Sequence, residues 1–307
     1  MNSVTDFDIR KAFAFFCYMK LPNLYLDGYW EHYMKIFNME QKYLQFMENY
    51  KSDGFSSYKD FIDKFYEVVD KGAKTFLKKT LYETVDILKE ESKKVDDDWI
   101  PKYISPESGN IVKIDIHCAA EVMLKRLDLF NDNYNSGYDI INEVSKYETF
   151  KNSKKTRICI FKQAGLHENE YLFSLISNGL LKEIYNSENP IIKNLNKTYS
   201  VFKTKCDALI YITGNDDNDK ISGEYKCGDM DYHIDCFDIN CIEIMGKKYP
   251  DIWNNHDHIG THAIYPMLTP ITNAMLRRRT PDEKDLAIGY EDQIFFHLNK
   301  DDYKIII

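Results

Sequence analysis

The chain has 307 residues, 44% of them hydrophobic, and a formal net charge of −9. That length and apolar content support a sizeable core and exclude a disordered chain. The acidic balance excludes a protein that coats nucleic acid by bulk charge, since phosphate neutralisation needs clustered Lys and Arg, while leaving room for a local basic groove.

The seven cysteines form no C-x-x-C pair, and the N-terminus lacks the charged start and apolar run of a signal peptide, so a reduced, cytoplasmic protein is expected. The longest apolar run, AFAFFCYM, falls far short of a membrane span, and no membrane partner is expected.

From Thr5 to about Lys94 the pattern is helical. Thr5 with Asp8 predicts an N-terminal cap ahead of IRKAFAFFCYMK, and Pro22 closes that segment. A second run extends from Tyr29 to Tyr50. A third begins at Ser57 and carries Phe61, Phe65, Val68, Val69, Phe76, Leu81, Val85 and Leu88 at mostly three- and four-residue spacings, one apolar stripe. Charge, two prolines and a glycine in KKVDDDWIPKYISPESGN place a boundary near residue 97.

Beyond it the pattern is mixed. IVKIDIHC predicts a strand, and AAEVMLKRLDLF, GYDIINEVSKY and YLFSLISNGLLKEIY predict helices. YSVFKTKCDALIYITG and KISGEYKC read as two strands around the acidic turn NDDND, and DYHIDCFDINCIEIM as a third strand running into irregular chain or helix. The expected fold is α+β: a helical N-terminal arm, residues 1–97, followed by a palm-like mixed domain with an antiparallel sheet, residues 98–307.

Three stretches carry candidate chemistry. NNHDHIGTHAIYPMLTP places His256, Asp257, His258 and His262 within seven positions. Its histidines suit zinc, but the spacing matches no strong zinc pattern, and a solvated turn before a helix is the plain alternative. Asp115 ends the strand VKIDI; a carboxylate there points into the cleft the sheet faces, or merely caps the following helix. With a second carboxylate such as Asp257 it would complete a two-magnesium site, which stabilises both the attacking and the leaving oxygen in phosphoryl transfer. KNSKKTRICIFKQAG carries Lys151, Lys154, Lys155, Arg157 and Lys162 on one expected helix, able to meet a triphosphate or simply to face solvent.

The order of these pieces resembles the single-subunit, phage- and mitochondrial-type DNA-dependent RNA polymerases. In DIHCAAEVML, Asp115 and Cys118 stand as the family's first catalytic aspartate and the Cys three residues on. Lys151-x-x-x-Lys155 is similar to the family's Arg-x-x-x-Lys start, ALIYITGNDDNDKISGEYKC to a hairpin ending in Glu-Tyr-Lys with Tyr225, and HDHIGTHAIYPMLTPITNAML to the closing His-Asp element. The resemblance implies template-directed RNA synthesis in transcription, with Asp115 and Asp257 holding Mg²⁺, Lys155 on the incoming triphosphate, and His256 beside the metal site. Lys151, Arg157, Gln163 and Tyr225 would contact nucleotide or template. It departs from the family at Gln163-Ala164, where a Tyr-Gly selects the nucleotide, and at Lys151, where an arginine is usual. No Asp-x-x-Gly-Arg template motif precedes Asp115, and the chain is short. A DNA template, nucleoside triphosphates and a second polymerase subunit are therefore the implied partners, with host-cell cytoplasm the implied location if the chain is a phage's.

A rival arrangement is Asp207, a hairpin, then Glu224-x-Lys226, as in nucleases that bind Mg²⁺ through the two acids and orient water with the lysine, with Glu183 as a further ligand. Its chemistry needs the acids on adjacent strands. A structural or interaction protein is the third reading, from the acidic balance and the aromatic load.

Overall fold

The computed structural model describes residues 5–19, 28–102, 109–151, 153–203, 208–213, 221–244, 246–254, 259–261, 271, 274, 279–290, 293–299, 301 and 303–306. The fold is α+β, with a helical N-terminal region followed by an antiparallel sheet flanked by helices. No helix among the described residues is long and apolar enough to cross a membrane.

Helix α1 (Asp6–Phe16) opens with the expected cap: the Thr5 hydroxyl accepts from the Asp8 amide and the Asp8 carboxylate accepts from the Thr5 amide. The second expected run divides into α2 (Tyr29–Ile36) and α3 (Glu40–Ser52), because Asn38 takes a left-handed φ of 52° that ends the first. The third divides too. Helix α4 (Tyr58–Phe76) stops at extended Leu77, and Thr80 starts α5 (Leu81–Ser92) with a capping box to Glu83.

Strand β1 (Gly109–Ile116) follows, then α6 (Ala119–Arg126), α7 (Gly137–Val144), α8 (Lys154–Gln163), α9 (Glu170–Tyr185) and α10 (Pro190–Thr198). The remaining strands among the described residues come late: β2 (Ser200–Lys203), β3 (Ala208–Thr213), β4 (Gly223–Cys227), β5 (Met230–Ile244), β6 (Lys247–Asn254), β7 (Ile259–Thr261) and, past the four-residue α11 (Glu283–Leu286), the β8–β9 pair (Ala287–Tyr290, Gln293–His297) and β10 (Tyr303–Ile306).

The sheet runs β2-β3-β1-β5-β6-β7, with β4 and β10 also on β5. MDYHIDCFDINCIEI is strand throughout, a 15-residue spine that carries β1 and then β10 on one edge, β4 and then β6 on the other. Two expectations change here. The segment expected to lapse into helix stays extended, because its alternation of buried and exposed positions persists to Ile244. And β3 and β4 do not form the expected hairpin: β3 pairs β1 and β2, while β4 pairs β5.

One hydrophobic cluster crosses the boundary near residue 97, so that boundary is a change of secondary structure within a shared core. Fully buried Phe61 and Phe65 of α4 meet the ring of Phe150 at 5.4 and 5.6 Å, and burying each phenyl group contributes about 1.5–3 kcal/mol. Helix α4 also packs on α8 at Gly72, where a Cβ would stand 2.4 Å from Ile160 Cδ1. Through that contact the N-terminal helices fix the position of α8 over the sheet.

Candidate functional site

Strand alternation gives β1 two faces. Val112, Ile114 and Ile116 enter the main core, while Ile111, Lys113 and Asp115 face the other way. Asp115 is the Cα partner of Ala208 on β3 and of His233 on β5, and His233 is in turn the partner of Glu224 on β4. Paired residues share a face, so Ala208, Asp115, His233 and Glu224 form one row across four strands.

The row is densely hydrogen-bonded. Lys113 Nζ donates to Asp115 Oδ2 at 2.5 Å, and His233 Nε2 lies 2.9 Å from Asp235 Oδ2 and 4.0 Å from Asp115 Oδ2. His117 Nε2 sits 2.7 Å from Glu224 Oε2, with its ring 4.8 Å from that of His233. The hydrogen bond to Asp235 raises the His233 pKa above the usual imidazole value against the opposing pull of burial. Its Nδ1 is buried and has no hydrogen-bond partner among the described residues.

Past Ile116 the chain turns sharply, with Cys118 at a left-handed φ of 51°, and enters α6. Burial pushes the Cys118 thiol up, so it is protonated at neutral pH, and Arg157 Nη1 lies 2.7 Å from its sulfur. The same guanidinium donates to Glu121 Oε1 at 3.0 Å, and Glu121 Oε2 accepts from the Gly137 amide at 3.1 Å. Gly137 has no room for a side chain: a Cβ would lie 2.8 Å from Glu121 Oε1. Helices α6, α7 and α8 are thereby tied at one buried carboxylate.

Asp115, His117 and His233 floor a cleft of about 710 Å³, walled by Tyr138 and by one face of α8 that carries Lys154, Arg157, Phe161 and Lys162. Lys154, Arg157 and Phe161 follow at three- and four-residue spacing, and Lys154, Ile158 and Lys162 at four, which places these side chains on a common face. The lining brings together three cations of α8, Arg157 of them already paired with Glu121, and the carboxylates of Asp115, Glu121 and Glu170.

Asp115 and Arg157 line one cleft. Lys155 turns toward α1, with Nζ 3.9 Å from the Tyr18 ring and 4.4 Å from the Phe15 ring. Lys151 Nζ lies 2.5 Å from Glu148 Oε1, and Gln163 is the last residue of α8. The Tyr225 hydroxyl donates to the Ile221 carbonyl at 2.8 Å while its ring stacks on Tyr232. Asp257, His256 and Asp207 lie outside the described residues. His117, His233, Lys154 and Lys162 also line the cleft; the sequence pattern marks the two lysines but not the two histidines. The signal for the histidines was alternation: His117 is two residues from Asp115, and His233 two from Asp235.

For the nuclease arrangement, β1 and β5 stand between β3 and β4, so the strand entered from Asp207 is not next to the strand of Glu224. Lys226, on an exposed edge, pairs with Asp231 at 3.2 Å. Glu183 is held in a fork by Arg126, which also grips Asp229.

Among the described residues, one set of three ligand-type side chains comes within metal-binding reach: His32, Asp282 and Asp285. Both oxygens of the fully buried Asp285 are already engaged, Oδ1 with His32 Nε2 at 2.9 Å and Oδ2 with Arg279 Nη2 at 2.6 Å. Asp282 caps α11. The set is an ion-pair clamp that fastens residues 279–286 to α2, assisted by Lys284 Nζ donating to the Gly28 carbonyl.

No protein-family model, no curated protein and no solved structure matches this chain.

Proposed function

We propose that this chain catalyses template-directed nucleotidyl transfer in the cleft between β1 and α8. The observation that carries it is the opposition of Asp115, at a strand end, to Lys154, Arg157 and Lys162 on the facing helix. Oxygen ligands on one side suit hard cations such as Mg²⁺, and ammonium and guanidinium groups on the other suit phosphate oxygens. Magnesium would supply charge stabilisation at the attacking and leaving oxygens. Asp115 would hold the metal, with Lys113 releasing the carboxylate oxygen it now grips, while the α8 cations align the triphosphate.

Two metals need a second carboxylate. The polymerase resemblance gives that role to Asp257. We keep that assignment. The proposed product is a nucleic-acid strand. With Gln163 in place of the sugar-selecting tyrosine, ribo- and deoxyribonucleoside triphosphates are both candidate substrates, RNA being the product the resemblance names. A DNA template and a second subunit that grips it complete the proposal, in keeping with the acidic net charge of −9.

The test is incorporation of labelled nucleotides on a primed DNA template with Mg²⁺ or Mn²⁺, comparing the full chain with Asp115→Asn. Metal-dependent incorporation that the substitution abolishes supports the assignment. Incorporation that survives it, with the variant folded, contradicts it.

A further inference from the structure

A second cavity, about 660 Å³, adjoins the cleft and shares Ala119, Ala120, Phe161 and Glu170 with it. It differs in character. Met123, Phe161 and Phe173 make its walls apolar, with the phenyl rings of Phe161 and Phe173 set edge to face at 5.2 Å and the exposed Tyr171 at the rim. On its polar side lie Lys203, 1% exposed, and Asn178, 4% exposed.

These two groups are held by Asp97 and are not used up by it. Asp97 Oδ1 accepts from Lys203 Nζ at 3.0 Å and from Asn178 Nδ2, and its Oδ2 meets Lys102 Nζ at 3.3 Å. An ammonium has three donors, of which Lys203 spends one among the described residues, and the Asn178 carbonyl oxygen accepts no hydrogen bond among them. The cavity therefore offers a donor and an acceptor, fixed side by side, at the end of a slot lined by aromatic rings. The ionised groups around it, Asp97, Glu170, Lys102 and Lys203, balance in charge, which suits a neutral ligand.

A nucleobase is a flat neutral ligand with adjacent acceptor and donor atoms: a ring nitrogen or carbonyl accepts a hydrogen bond from Lys203 Nζ, a ring or exocyclic N–H donates to the Asn178 carbonyl oxygen, and the ring faces lie against the phenyl walls. We infer that this cavity binds a nucleobase. Resting on the nucleotidyl-transfer reading, we place there the base of a nucleotide that is not paired to the template, since Lys203 and Asn178 take the edge that pairing needs; its phosphates reach α8 past the shared wall of Ala119, Ala120 and Phe161.

Free nucleosides isolate the cavity from the phosphate contacts. Titration calorimetry of the full chain is expected to show binding of inosine and adenosine, with 1-methylinosine, which lacks the ring N–H, about tenfold weaker. Lys203→Met should weaken inosine about tenfold. Ser174→Trp, which fills this cavity from α9 without lining the cleft, should abolish nucleoside binding while leaving pyrophosphate binding unchanged. Equal binding of 1-methylinosine, or inosine binding that survives Ser174→Trp in a variant with an unchanged circular dichroism spectrum, overturns the assignment. If nucleosides fail to bind while pyrophosphate does, the base site is wrong and nucleotidyl transfer stands. If nucleosides bind and pyrophosphate does not, the base site stands and nucleotidyl transfer is wrong.

Discussion

Asp115 of β1 and His233 of β5 face each other across the ladder, with Nε2 4.0 Å from Oδ2 and a second acid, Asp235, closer still at 2.9 Å. The imidazole therefore sits between two carboxylates, and the metal that Asp115 is proposed to hold would enter beside it.

The pH behaviour of His233 follows. Its pKa is raised, chiefly by Asp235 and further by Asp115, with burial and Lys113 opposing. A raised histidine pKa stabilises the fold fully below the ordinary value, about 6.5, and that contribution is lost as pH climbs through the folded-state pKa. Asp235→Asn should lower the midpoint at which the ring protons titrate by NMR and flatten the fall in stability above neutral pH. A midpoint that stays put or rises refutes the attribution.

The α8 cations divide by face. Lys162→Ala and Lys154→Ala should each weaken triphosphate affinity, by several-fold in titration at low salt and less at high salt, as screening requires. Lys155→Ala should leave affinity nearly unchanged and cost about 0.5–1 kcal/mol of stability through the lost cation–π contacts with Phe15 and Tyr18. Loss of affinity at Lys155 with none at Lys154 and Lys162 would restore the assignment that the polymerase resemblance implies.

Gly72 joins the N-terminal helices to the site. Gly72→Ala drives a methyl group into Ile160, an overpacking that costs about 1–3 kcal/mol. Adding Ile160→Val should recover part of the loss in urea denaturation. Additive destabilisation by the two changes would show that the contact is not as close as described.

The clamp at Asp285 should be among the most sensitive electrostatic positions. Asp285→Ala leaves His32 and Arg279 without their buried partner and should cost about 3 kcal/mol, the lower end for a broken buried pair because Arg279 is partly exposed. Asp282→Ala, which removes a helix cap, should cost about 1 kcal/mol. Equal losses in thermal unfolding would contradict the central place given to Asp285.

Much of the architecture was legible because periodicity is local. The Thr5 cap, the α4 stripe and the strand character of KIDI were read from local pattern alone. Pairing is not local. Nothing in ALIYIT or GEYKC says that each would take a different neighbour, so the expected hairpin was an inference from chain proximity, and β1 and β5 came between. The site divides in the same way. Asp115 was visible as a strand-end acid, but Arg157 and Lys162 could be told from Lys155 only once α8 had a buried face against α4 and an open one over the cleft. His233 gained meaning only through its register with Asp115.

The most direct test of the central claim compares four proteins, wild type, Asp115→Asn, Asp207→Asn and Asp257→Asn, in magnesium-dependent nucleotide incorporation on a primed DNA template. Activity is expected in the wild type, its loss by about a hundredfold or more in Asp115→Asn and Asp257→Asn, as removal of a metal ligand entails, and its retention in Asp207→Asn. Loss at Asp207 with activity spared at Asp257 would take the second metal ligand away from the closing His-Asp element. Undiminished incorporation by a folded Asp115→Asn protein would contradict the account altogether.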